Sequence, residues 1–97
     1  MKVIVAPAAR DELRAAAGWY EQQRRDLGDV FLEAAQRAVS GIQERPLSFA
    51  EDTRQARSRR TKVPGFPYYV VFFVRGEAVY LVAFAHERRR PAYWAGR

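Results

Sequence analysis

The sequence predicts an α+β domain in the order β-α-α-β-β-β, with an N-terminal helical hairpin packed on a small twisted antiparallel sheet. Two observations predict it. Up to Arg45, two runs carry apolar residues at helical spacing, and a short β-branched stretch precedes them. Beyond Arg45 the apolar residues alternate or run together, and Pro-Gly and Gly-Glu breaks divide them. Ninety-seven residues suit one domain, so both halves should share a core as a single unit, residues 1–97.

"KVIVA" is a short strand by its β-branched content, and Pro7 suits the first turn of the helix after it. In "PAARDELRAAAGWYEQQRR", Ala9, Leu13, Ala16, Ala17 and Tyr20 fall on one helical face. Gly18 weakens this helix by roughly 1 kcal/mol relative to alanine, so close packing against a neighbour is its expected reason. Leu27-Gly28 is the expected end of the helix, because glycine accepts the left-handed conformation, and Asp29 is the expected cap of the next. The second helix, "VFLEAAQRAVSGIQER", stacks Phe31, Ala34, Ala35, Ala38 and Ile42, and Pro46 stops it. Small alanines on both helices predict a close antiparallel hairpin.

Three strands follow a loop of mixed character. "RSRRTKV" alternates Ser58, Arg60 and Lys62 on one side with Arg57, Arg59, Thr61 and Val63 on the other. A strand so charged belongs at an edge or faces a ligand. "YYVVFFV" is apolar on both faces, as a central strand covered on each side requires. "RGE" turns the chain into "AVYLVAFA", completing a β-hairpin.

The net charge of +6 comes from 17 basic and 11 acidic residues, and all of the excess lies beyond Arg45. Such asymmetry fits a polyanion or an acidic protein partner. Without cysteine there are no disulfides, and one histidine leaves no usual zinc set. The six glycines are scattered, so there is no phosphate loop, and no cofactor is called for. Ser40, Ser48 and Ser58 have no histidine nearby in sequence to form a triad. No apolar run is long enough for a membrane helix or a signal peptide, so a soluble, cytoplasmic protein is expected.

Two stretches can carry function. Arg54, Arg57, Arg59, Arg60 and Lys62 place five cations in nine residues with no acid between them. Arg60 and Lys62 share a strand face about 7 Å apart, a spacing that can clamp adjacent phosphates. The ordinary alternative is a charged edge that resists aggregation. The second stretch, "HERRRPAYW", follows the last strand. By alternation His86 continues the Tyr80, Val82, Phe84 face, and it can either exchange protons or serve as a structural hydrogen-bonding residue. Arg88, Arg89 and Arg90 can reach phosphates or carboxylates. Tyr93 and Trp94 can stack on bases, Tyr93 can act as an acid if a neighbouring cation lowers its pKa, or both can pin the terminus, the use favoured for Trp94. Trp19 lies about 100° off the core stripe, at a boundary or in a protein-binding groove.

Together, "DELRAAAGWYEQQRRDLGDVFLEAA", "FPYYVVFF" and "VAFAHERRRPAYW" resemble the RelE/ParE superfamily of toxins from bacterial type II toxin–antitoxin (plasmid stabilisation) systems. The resemblance spans Ala8 to Trp94. It implies a helical hairpin on a twisted sheet, and an acidic antitoxin that wraps the toxin in a hetero-oligomer. RelE-like members cut mRNA on the ribosome without metal. Carried over by position, Arg60, Lys62 and Arg88 or Arg90 would then stabilise charge, and Tyr93 or His86 would move protons. ParE-like members poison DNA gyrase and need no cleavage chemistry. RelE-type nucleases carry an arginine on the "FPYYVVFF" strand, at about Tyr68 or Tyr69, whereas this chain has none before Arg75. The "FPY" form and the tail are closer to the ParE side, so a gyrase-directed toxin is the expected function. A ribonuclease is the alternative, and a non-toxic module binding RNA or protein is a third reading. The surface for target or antitoxin is expected at Arg54, Arg57, Arg59, Arg60, Arg88, Arg89, Arg90, Trp94 and Trp19.

Overall fold

A computed structural model describes residues 1–97. The chain runs through β1 (Lys2–Val5), α1 (Pro7–Gln23), α2 (Leu27–Glu44), β2 (Arg59–Lys62), β3 (Tyr68–Arg75) and β4 (Ala78–His86), with single 3₁₀ turns at Pro46–Ser48 and Thr53–Gln55. The expected element order is therefore observed. Strand order in the sheet is β1-β4-β3-β2. β2, β3 and β4 pair antiparallel, but β1 pairs parallel to β4, Lys2 opposite Ala78 through Val5 opposite Leu81. The sheet is thus mixed rather than antiparallel throughout. The helices and the loop after them return the chain so that β1, β2 and β4 all point the same way.

The two helices meet closely because their facing residues are small. Ala9, Ala16, Ala34, Ala35 and Ala38 are all buried. Gly28 belongs to this contact and not to a helix end. It lies inside α2, where an added Cβ would stand 2.7 Å from the Ala17 carbonyl oxygen. α1 ends earlier, at Gln23, and the left-handed residue before α2 is Asp26, at φ 69°. Asp29 sits in the first turn of α2 rather than capping it. Glu21 supplies the cap from the other helix, accepting from the Asp26 and Gly28 N–H groups at 3.0 Å each. A methyl group added at Gly18 would meet nothing within 4 Å, so the close packing expected there is absent.

Between helices and sheet, Phe31 is wholly buried and its ring meets Tyr20, Phe66 and Tyr68 at centroid distances of 5.2, 5.0 and 5.3 Å. Val63, Val70, Phe72, Val79, Leu81 and Phe84 complete this core. A second, smaller cluster covers the opposite face, where Trp94 joins Val71, Val82, Ala83 and Ala85. β3 is therefore covered on both sides, which explains its unbroken apolarity.

One irregularity decides where the functional residues point. Val71 pairs with Ala83 but Phe72 pairs with Leu81, so Val82 is an extra residue in β4. Such a bulge shifts the alternation by one. Val79 and Leu81 face the helices, Val82 and Ala83 both belong to the opposite cluster, and Phe84 returns to the helix side. His86 goes with Phe84, opposite Tyr68, and leaves the Tyr80–Val82 face expected from plain alternation. No helix is long and apolar enough to cross a membrane.

Candidate functional site

The run of basic residues divides into two groups. β2 covers only Arg59–Lys62, and Ala56 and Arg57 before it turn with φ of 57° and 61°. That turn folds the basic residues back on the acids just ahead of them. Arg54 pairs with Asp52 at 3.5 Å, and Glu51 takes both Arg57 at 3.4 Å and Arg59 at 3.0 Å. Arg59 also donates to the Phe49 carbonyl, and its side chain is only 15 % exposed. The Asp52 carboxyl is held below the usual range, chiefly by the Arg54 backbone N–H and then by the Arg54 charge. Arg54, Arg57 and Arg59 thus hold the loop in shape.

Arg60, Lys62, Arg88, Arg89 and Arg90 are different, because none belongs to the four ion pairs of the chain. Arg60 lies opposite Val71 and Lys62 opposite Tyr69, both on the face away from the helices. Tight turns shape the tail: Glu87 N–H donates to the Pro67 carbonyl, Arg89 N–H to His86 and Tyr93 N–H to Arg90. They separate the three arginines, so that Arg89 stacks on the Tyr93 ring at 3.9 Å, just as Arg60 stacks on Tyr69 at 4.3 Å.

The tail and β2 meet. Ser58, Arg60, His86, Arg89 and Arg90 line one cavity of about 100 Å³, with Trp94 and Tyr93 beside them. His86 accepts the Arg88 N–H at Nδ1, 3.1 Å away, so in the neutral ring Nε2 carries the proton. Lys62, Arg88, Arg54, Arg57 and Arg59 lie outside this cavity. Trp19 is 57 % exposed and lines, with Glu12 and Tyr68, an adjoining groove that shares His86, Arg89 and Tyr93 with the cavity. Trp94 is only 4 % exposed and packs edge-on against Phe73, so it pins the tail and offers little to a partner.

Glu12, on α1, is the residue that sequence reasoning missed. Its carboxylate accepts from the Tyr93 hydroxyl, from the Phe84 N–H at 3.2 Å and from Arg97 at 2.7 Å. Arg97 in turn donates to the Val82 carbonyl at 3.1 Å. β1 stops at Val5, so the upper edge of β4 has no strand beside it. Glu12 and Arg97 satisfy that edge with side chains. The pattern did carry a signal, for Glu12 stands three residues after Ala9 and four before Ala16, both buried. A carboxylate on that row needs partners.

The same contact reverses the expectation for Tyr93. Burial, followed by the hydrogen bond to Glu12 and the charge of Glu12, pushes its phenol well up. Arg97 and Arg89 pull in the other direction and are outweighed. No three His, Asp or Glu side chains come together at a spacing that could hold a metal ion.

Comparison with known proteins accords with this arrangement. A solved structure titled "Chromosomal ParDE TA system from P. aeruginosa" is similar in fold, with a TM-score of 0.66 at 16 % identity, over 89 % of this chain and 95 % of that one. No curated protein matches by sequence. The family described as "ParE toxin of type II toxin-antitoxin system, parDE" matches residues 3–91. With the helical hairpin, the β4-centred sheet and the family match in agreement, the chain belongs to the ParE toxin family of type II toxin–antitoxin systems.

Proposed function

We propose that this chain is the growth-inhibiting member of its toxin–antitoxin pair, that it acts on DNA gyrase in the cytoplasm, and that an acidic cognate antitoxin neutralises it in a hetero-oligomer. One observation carries the choice of gyrase over mRNA. The Tyr93 hydroxyl, the phenol a ribonuclease would use, is bonded to Glu12 with its pKa raised. A proton donor tied into the fold is poorly matched to acid catalysis near neutral pH. Tyr68 and Tyr69, where an arginine would support cleavage, add to the case. The unpaired Arg60, Lys62 and Arg88–Arg90 suit the acidic partner.

A ribosome-dependent ribonuclease is the second reading, and His86 favours it. With Nδ1 occupied by the Arg88 N–H, Nε2 is the free ring nitrogen of a residue that borders the cavity lined by Arg60 and Arg90.

Supercoiling by purified gyrase, with and without the protein, tests the choice, alongside primer extension on cellular mRNA soon after induction. Inhibited supercoiling with intact mRNA is expected. Codon-phased mRNA cuts that disappear in His86→Ala, with gyrase unaffected, would replace the first reading with the second.

A further inference from the structure

The cavity between β2 and the tail has features that a surface for an acidic protein does not require. The geometry points to a phosphate subsite, in which this cavity holds one phosphodiester of a nucleic-acid strand. This deepens the gyrase reading and rests on it for its setting, since gyrase presents DNA, but the subsite itself can be tested without gyrase.

Donors reach the cavity from two sides, Ser58 and Arg60 from the β2 side and Arg89 and Arg90 from the tail. His86, at the end of β4, borders it with its ring against Tyr68. Glu87 is the one carboxylate on the wall, and it pairs with none of the arginines. Arg60 and Arg89 are steadied by the faces of Tyr69 and Tyr93 instead of by acids, so their positions are set while their charge remains uncompensated. Ser58 is 4 % exposed and lies on the cavity wall. Donors converging from two sides suit a tetrahedral oxyanion, whereas a planar carboxylate takes a guanidinium fork along one edge. Lys62, two residues beyond Arg60 on the same strand face, extends the cationic track for a neighbouring phosphate.

The test measures binding of a short DNA duplex by fluorescence anisotropy over a salt series, using wild type, Arg60→Gln, Arg90→Gln and Arg14→Gln. Arg14 is exposed on α1 and removes the same charge elsewhere. The expected result is a loss of roughly tenfold or more in Arg60→Gln and Arg90→Gln, with the salt slope reduced by about one, and little change in Arg14→Gln. Inorganic phosphate should shift the Ser58 and Arg90 amide resonances of the wild type, and Ser58→Ala should weaken that response without unfolding the protein. An RNA duplex of equal length binding with the same dependence on Arg60 also supports a backbone-phosphate site. Equal losses in all three arginine variants would reduce the effect to net charge and overturn the proposal. An oligoglutamate peptide that requires Arg60 and Arg90 while DNA and phosphate do not would overturn it in favour of a carboxylate site. If DNA binds as expected but supercoiling is unaffected, the subsite stands and the gyrase reading falls.

Discussion

Replacing Glu12 with alanine removes one carboxylate and leaves three donors without their acceptor: the Tyr93 hydroxyl, the Phe84 N–H and Arg97. A hydrogen bond to a charged group contributes about 1.5–3 kcal/mol, and a buried donor left alone costs about 1–3 kcal/mol. Water can recover part of this, because the Glu12 and Arg97 side chains are 19 % and 23 % exposed and the ion pair is partly screened. The expected net loss is about 3 kcal/mol. For a domain of this size that lowers Tm on the order of 15 °C. Glu12→Gln keeps a neutral acceptor and should lose about half as much. Thermal and urea unfolding of both variants give the numbers, and Tyr93→Phe completes a double-mutant cycle. The Glu12–Tyr93 coupling should be about 1 kcal/mol or more. A Glu12→Ala loss below about 1 kcal/mol, or additive single mutants, would mean that Glu12 does not hold the tail.

Further outcomes follow from other sites. The fold favours the protonated Tyr93 phenol, so its contribution is complete below the ordinary tyrosine pKa of 10.0 and is lost as pH rises above that value. Tyrosinate absorbance should show a late-ionising group that vanishes in Tyr93→Phe and moves to lower pH in Glu12→Gln. Gly28→Ala drives a methyl against the Ala17 carbonyl and should cost about 2 kcal/mol, whereas Gly18→Ala meets nothing and should gain up to about 1 kcal/mol; chemical denaturation measures both. Asp52 is depressed in the folded loop, so its contribution is present above the ordinary value of 3.8 and is lost as pH falls through the lower folded value. The Arg54 amide resonance should therefore move only below the usual aspartate range. Trp94→Ala should cost about 3–5 kcal/mol in urea unfolding, and Trp19→Ala under about 1 kcal/mol, because one ring is buried and the other exposed.

The two helices and the last two strands are legible in the sequence because their apolar residues repeat or run together as burial imposes, and β2 is legible from its alternating charges between breaks. The covered faces of β3 can be read directly from "YYVVFFV". The direction of β1 cannot, since four residues contain no information about a partner some seventy positions away, although Val3, Ile4 and Val5 are apolar in sequence as a strand covered on both faces would be. Gly28 misleads because a glycine between two helices serves equally well as a terminator or as a contact point, and only the distance to Ala17 separates the two. Alternation puts His86 on the wrong face because a bulge at Val82 leaves no mark in an all-apolar strand. At the site, the number of cations is plain in the sequence, but their division is not. Glu51 and Asp52 lie outside the basic run and reach it only through the turn at Ala56–Arg57.

The parallel seam between β1 and β4 also bears on how the molecule comes into being. Lys2 and Ala78 are 76 positions apart, and closing a flexible loop of that length costs about 4 kcal/mol of chain entropy, plus a constant. α1 with α2, and β3 with β4, are local pairs that form without it. During synthesis, then, the first strand emerges long before its partner and stays unpaired until β4 has been made and joined to β3. A chain halted between Glu44 and Ala78 has a helical hairpin but neither the seam nor the cavity that draws on β4 and the tail. Any surface built from β4 and the tail is therefore absent until both have been made and paired.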